Sequence, residues 1–408
     1  MSKDQGMTSR KRLLTALEGS RPDRLPVTTH HLMPWFLDRY LDGIGEDDFF
    51  RRFGLDPTRW AYDLKPDESR GEYWSEELEP GHRFIVSDRW RMEATLLDGQ
   101  PGLAETGPTA NRSRPASPNA GPTWRYHIHT PGGSLSMVLR RGAQTDWVLE
   151  RPLKEKAHLE IFRRHAPLGL CDVEAIRRKA ETLEDGILRG GVPGFEIYGQ
   201  PGCWQDGVEL FGLQELIMET ADDPSWVREL LGVLRERKEA QIVSMEGAPY
   251  DLIELGGGSA SSTVISPGIF QEFVAPHDEP LIRAAHGVGL KVVYHSCGGM
   301  MPLLEMIADM GPDAMETFTP PALGGDTRLA EARERVGERV CMIGGFDQHS
   351  FFTGCTPQET REAVRRCFRE GGAEGGYILA PSDHFFDAEL PLLEAFADEA
   401  RRCVYEEG

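Results

Sequence analysis

Two hydrophobic rhythms divide the chain. Thr8 to Glu18 carries Leu13, Leu14 and Leu17 on one side, the pattern of an amphipathic helix. Arg24 then leads into a short apolar run, Leu25 to Val27, which reads as the first strand. From Gly186 onward the pattern is regular. Strand-like runs fall at Phe195–Tyr198, Leu252–Leu255, Lys291–Tyr294, Ala314–Phe318, Val340–Ile343 and Tyr377–Ala380. Helical stretches alternate with them at Pro224–Glu246, Pro267–Gly287, Met301–Met310, Thr327–Val336, Pro357–Glu370 and Leu390–Val404. Strand–helix alternation predicts parallel strands joined by crossover helices. The strand near Pro26 and one from the intervening region bring the count to about eight, the number of a (β/α)8 TIM-like barrel. An open doubly wound sheet is the rival α/β architecture. No GxGxxG follows the first strand, which weakens a dinucleotide-binding version of it.

Between about residues 50 and 165 the texture changes. Phe84–Val86, Trp124–His129 and Leu135–Leu139 look like strands separated by turn residues. Pro101 to Pro122 is rich in Pro, Gly, Ser, Asn and Thr and predicts a long loop. This block reads as a β-rich insertion, at about residues 65–150, in a single barrel domain spanning 1–408. There is no internal repeat.

Composition narrows the class of partner. Hydrophobic residues make up 39% of the 408, enough for a large core. A formal net charge of -21 argues against a nucleic-acid backbone or an anionic membrane, since both attract a positive field. Seven cysteines, an odd and scattered number, do not form a disulfide framework and suit a reducing cytoplasm. The first residues are polar and charged, without a signal-peptide apolar run, and no segment reaches bilayer-spanning length. The expectation is a soluble cytoplasmic protein with a small-molecule substrate; a homodimer stays open.

In such barrels, working groups lie where strands end and βα loops begin. Those positions hold His30 and His31, Gln200 and Cys203, Glu254, His295 and Cys297, Glu316, Asp347, and finally Asp383 and His384. The sharpest local signal is YHSCGG, Tyr294 to Gly299. One residue separates His295 from Cys297, so an extended strand end turns both to one face. Imidazole nitrogen and thiolate suit zinc, but two ligands do not make a site. A bare H-x-C is more often a core histidine beside an inert cysteine. The last strand, GGYILAPSDHFF, offers Asp383 or His384 as the third ligand, with a position left open for substrate. Asp383 reads equally as an N-cap or turn residue.

Glu254, in LIELGGG, is a metal ligand, a general base or a paired structural carboxylate. Glu316, in AMETFTPP, is similar and weaker, and Asp347 fits a loop-fixing role. Adjacent histidines cannot face the same way along a strand, so only one of His30 and His31 faces the pocket. Trp35 would wall a flat ligand or simply pack. Cys203 is the remaining cysteine of interest.

The stretches ISPGIFQEFVAPH (Ile265 to His277), VVYHSCGG, GGFDQHSFFTGCTPQETREAVRRC and GGYILAPSDH resemble the uroporphyrinogen decarboxylase superfamily, as does the opening KRLLTALEGSRPDRLPV. The resemblance is best from about Asp251 to Arg402 and implies its (β/α)8 barrel. Decarboxylases of the superfamily carry an arginine-bearing MRQAGR signature after the first strand. Here HHLMPW sets His31 and Trp35 in place of the two arginines, which removes fixed cations suited to a polycarboxylate. The other branch, zinc-dependent methyltransferases acting between a methylcobamide and a thiol, carries an H-x-C pair matching His295 and Cys297. Its third ligand, a cysteine, falls on Asp383. What the resemblance implies is one zinc ion, with a corrinoid on a partner protein as co-substrate. Glu254, Asp383 and His384 are then the catalytic candidates, with His31, Trp35, Gln200 and Glu316 facing substrate. A carboxy-lyase and a non-catalytic ligand-binding member are the alternatives.

Overall fold

The computed structural model describes residues 6–98, 121–192 and 201–405. Its contacts divide the chain into two compact units. One comprises residues 1–62, 173–192 and 246–408; the other comprises 63–172 and 193–245.

The first unit is a curled parallel sheet of seven strands in sequence order. They are β1 (Thr58–Trp60), β2 (Ile187–Gly191), β3 (Leu252–Gly256), β4 (Val292–His295), β5 (Ala314–Thr317), β6 (Cys341–Phe346) and β7 (Tyr377–Pro381). Residues 26–28 fill the gap between the two outer strands. Val27 bridges Leu379 in parallel, and the Asp56 N–H donates to the Val27 carbonyl at 2.7 Å. The expected α/β TIM-like barrel is therefore present, its eighth stave being the predicted Leu25–Val27 run.

Strand alternation explains the interior. Ile187, Leu252, Val293, Ala314, Cys341 and Ile378 form an apolar cluster, and Leu13, Ala16 and Leu17 of the first helix pack against it. That helix, Ser9–Leu17, is N-capped by Thr8, as the leucine spacing predicts. Two residues further along their strands, on the same face, stand Arg189, Glu254, His295 and Glu316. The barrel thus has a dry layer below a charged one.

Two strands of the sheet were not expected from sequence. Phe195–Tyr198 lies outside the described residues, and the strand after the first crossover helix is Ile187–Gly191. Its sequence, ILRGG, has an arginine inside and two glycines at the end, so no apolar run announces it. Thr58–Trp60, TRW, is too short to show a period. The predicted helices after residue 260 are all found, Pro267–Gly287 with the ends expected and a π-helical turn at Phe270–Val274, the others with one end shifted.

The second unit holds a four-stranded antiparallel sheet, Arg91–Asp98, Thr123–Thr130, Gly133–Arg140 and Trp147–Glu150. A hairpin, Tyr73–Glu79 with His82–Ser87, turns at Pro80 and Gly81. Among the described residues it also holds a short antiparallel pair, Leu64–Pro66 with Gly169–Cys171, and four α-helices, His158–His165, Cys203–Phe211, Leu213–Asp222 and Pro224–Val243. Pro at the first turn and the Asp223 side chain start the last of these.

No helix of the described residues is long and apolar enough to cross a membrane. None of the seven cysteines is paired with another.

One buried ionic knot secures the end of the barrel beneath the dry layer. The fully buried Asp56 carboxylate accepts from Arg12 Nη1 at 2.6 Å, from Arg24 Nη1 and Nη2 at 2.9 Å, and from the Val27 N–H at 2.9 Å. Asp56→Ala should strand two guanidinium groups and the stave 26–28, costing about 3–5 kcal/mol. Urea unfolding of the variant measures this; a loss below about 1 kcal/mol would show that the knot is dispensable.

Candidate metal centre at the barrel mouth

The strand ends bring eight chemically active side chains together. Parallel register sets Gly191 beside Glu254, Gly256 beside His295, and His295 beside Glu316. His30 enters from the segment following stave 26–28, and Asp383 and His384 from the end of β7. Cys297 follows β4, on the side of the backbone that His295 occupies.

Arg189 is the charged anchor of the group, and it is 3% exposed. Its Nη1 donates to Glu316 Oε2 at 2.8 Å, and its Nη2 donates to Glu254 and Glu316. The guanidinium also lies over the Trp60 ring, 4.3 Å from its centroid. Burial works against the cation, but Glu316 and Glu254 outweigh it, so Arg189 stays charged. In return Glu316, which burial would push up, is held well below the usual carboxylate range by Arg189 and His30.

Glu316 then orients both histidines. Its Oε1 lies 2.9 Å from His295 Nδ1 and 3.2 Å from His30 Nε2. With Nδ1 engaged, His295 has its Nε2 left for a cation, the carboxylate–histidine arrangement that supports metal ligands. Burial would lower the His295 pKa, but Cys297, through its charge and a hydrogen bond, and Glu316 raise it well above the usual value. The field that retains a proton there also favours a dication.

Among the described residues, three groups of donors have their ligand atoms within 4.8 Å of one another: His295, Cys297 and Asp383; His30, Asp383 and His384; and His30, Glu254, His295 and Glu316. In the last, the Arg189 guanidinium already engages both carboxylates. The His295–Cys297–Asp383 group supplies the nitrogen, sulfur and oxygen that zinc accepts. Room for its sulfur comes from glycine: a Cβ on Gly258 would stand 2.3 Å from Cys297 Sγ. Gly298, at φ +106°, makes the turn after the thiol, and a Cβ there would meet Ser261 Oγ at 2.7 Å. These residues fit a metal ion.

Asp383 accepts from the His384 backbone N–H at 2.7 Å and lies 2.9 Å from His384 Nδ1. Burial would raise its pKa, yet the His384 hydrogen bond and the charges of His30 and His295 bring it below the ordinary value. Just beyond Glu316, Thr317 and Phe318 take positive φ, 84° and 45°. This is strained for non-glycine residues, and the Thr317 hydroxyl, donating to the Ser296 carbonyl at 2.8 Å, helps hold it.

The remaining candidates are placed as follows. His31 stacks on Trp60, ring centroids 4.2 Å apart, outside the donor groups. Burial first, then the charges of His30 and Arg189, push its pKa down to about 2, so it is neutral. Trp35 lies on the helix Pro34–Tyr40, half-buried under Arg39. Gln200 lies outside the described residues. Asp347 caps the helix Gln348–Phe351, accepting from the Ser350 N–H at 2.9 Å. Cys203 begins a helix of the second unit, fully buried.

Sequence reasoning missed Arg189 altogether. Its signal was present: within ILRGG it stands two residues from Ile187, hence on the same face of the strand. An arginine on an inward face needs carboxylates, and Glu254 and Glu316 are those partners.

Residues 212–402 match the family described as Uroporphyrinogen decarboxylase (URO-D). The chain is 23% identical over 284 residues to uroporphyrinogen decarboxylase of Chlorobaculum tepidum, covering 68% of this chain and 72% of that one. It is 29% identical over 252 residues to the enzyme of Thioalkalivibrio sulfidiphilus, covering 56% of this chain and 64% of that relative's length. Among solved structures, a methyltransferase from Methanosarcina mazei is similar in fold. The TM-score is 0.59 at 15% identity, with 97% of this chain and 99% of that one covered.

Gly258→Ala adds one methyl where only the Cys297 sulfur fits. It should weaken zinc binding about 10–100-fold, the effect of disturbing a supporting group, with little change in the thermal midpoint. Competition with a chromophoric chelator reads the affinity, and unchanged binding would show that the thiol is not a ligand.

Proposed function

We propose that this chain is a metal-dependent methyl-transfer enzyme of the uroporphyrinogen decarboxylase superfamily, cytoplasmic, acting on a small thiol, hydroxyl or methoxy compound. His295, Cys297 and Asp383 hold one zinc ion in this reading, and a corrinoid on a partner protein is the co-substrate. The supporting observation is the convergence of N, S and O donors at the mouth, with His295 already oriented by Glu316. When bound, zinc supplies Lewis acidity that favours the anion of a thiol or hydroxyl. Glu254 and His384 belong to the neighbouring donor groups and complete the set of catalytic candidates. His31 and Trp35 border the substrate, with Glu316 acting through His295. The corrinoid, and transfer in either direction, follow from the H-x-C resemblance.

A carboxy-lyase is the second reading, favoured by the curated relatives, which are uroporphyrinogen decarboxylases. The charge of the mouth weighs against it. Arg189 is engaged by two glutamates, and Asp383 adds a third carboxylate, so a polycarboxylate would meet repulsion.

Metal analysis of the full chain, purified and then equilibrated with zinc, separates the readings. His295→Ala and Cys297→Ser should each lose one equivalent of metal relative to the parent. Methyl transfer between methylcobalamin and a panel of small thiols should fall more than about 100-fold in both, since Lewis-acid stabilisation is worth several kcal/mol. Equal metal in the parent and Cys297→Ser ends the zinc assignment. Uroporphyrinogen turnover by metal-free protein would establish the carboxy-lyase instead.

A further inference from the structure

We infer that the mouth carries a second cation site, formed by His30, Asp383 and His384, which shares the Asp383 carboxylate with the His295–Cys297–Asp383 site. The inference rests on the zinc reading of the first site and extends it to a two-metal centre.

The geometry begins with His30. Its Nε2 lies 3.2 Å from Glu316 Oε1 and 3.4 Å from Glu254 Oε2, so the ring proton belongs on that nitrogen. In the neutral ring Nδ1 then presents a lone pair. That atom is buried and has no hydrogen-bond partner, on a residue 8% exposed. It faces Asp383 Oδ1 at 3.6 Å, too far for a hydrogen bond. A buried imidazole nitrogen facing a carboxylate oxygen calls for a positive charge between them, a proton in the metal-free protein or a cation that displaces it. The third donor is His384, whose Nδ1 lies 2.9 Å from the same Asp383 oxygen. All three ligand atoms fall within 4.8 Å of one another.

Chemistry and charge agree with this. A carboxylate has two oxygens and can bridge two cations. Asp383 is the one residue common to the two donor groups that the Arg189 guanidinium leaves open. Glu254, Glu316, Asp383 and a Cys297 thiolate stand against Arg189 at the mouth, so a dication held by His295, Cys297 and Asp383 still leaves an excess of one negative charge. A second dication offsets that excess. The two sites differ in hardness: one includes sulfur, the other only imidazole and carboxylate. The second therefore suits an oxygen-bearing group of the substrate.

The test is metal stoichiometry and cobalt spectroscopy on the full chain, using zinc or Co2+ as the probe. The parent should bind two equivalents at saturation. His384→Ala, a change at a partly exposed side chain, should bind one and keep the near-ultraviolet thiolate-to-Co2+ absorption. Cys297→Ser should also bind one, without that absorption. His384→Asn repeats the measurement in case the alanine variant folds poorly. One equivalent in the parent, lost in Cys297→Ser and retained in His384→Ala, overturns the second site and leaves the first standing. No bound metal in any variant overturns both.

Discussion

The mouth of this barrel depends on one buried guanidinium. Arg189 engages Glu254 and Glu316 and rests on Trp60, in a place where any of these charges alone would be costly. With Arg189 in position, Glu316 is fixed and ionised. That carboxylate in turn sets the ring orientation of both His295 and His30. His30 is thereby left with Nδ1 turned toward Asp383, and His295 with a nitrogen that Glu316 does not engage, in a donor group with Cys297 and Asp383. Removing the cation would leave two carboxylates facing each other in a dry interior, and the donors above them would have no fixed geometry.

The arrangement is economical because it follows from alternation along parallel strands. Side chains two residues apart share a face, so the apolar layer of Ile187, Leu252, Val293 and Ala314 is followed directly by Arg189, Glu254, His295 and Glu316. The lower layer and the helix Ser9–Leu17 exclude water from below. The upper layer thus has low-dielectric material beneath it and open strand ends above it. Charge–charge coupling is strong in such a setting, which explains why Glu316 is held ionised despite its burial. Glycines at 258 and 298 complete the design, giving the thiol and the turn after it space that no side chain could share.

Much of this was legible in the residues. Alternating apolar runs and helices identify the barrel, and HSC and SDH mark the strand ends that carry donors, because a period of two or of 3.6 is a local property. The leucine triplet that seals the barrel and the stave at Leu25–Val27 were legible for the same reason. Less legible were β1 and β2. TRW is too short for its period of two to repeat, and ILRGG hides its strand behind a charge that is stable only because partners arrive from β3 and β5. His30, rather than His31, turns to the donors, and no local rule chooses between neighbours whose side chains point opposite ways.

The chain by itself therefore determined the parallel α/β architecture, the -21 charge and the kinds of donor available at each strand end. Only the tertiary structure decided which donors meet. Arg189, Glu254 and Glu316 lie on different strands, up to 127 residues apart, and become neighbours through sheet curvature and register alone. Distances between side chains on separate strands depend on how the whole sheet closes, and that is a global property which no local pattern encodes.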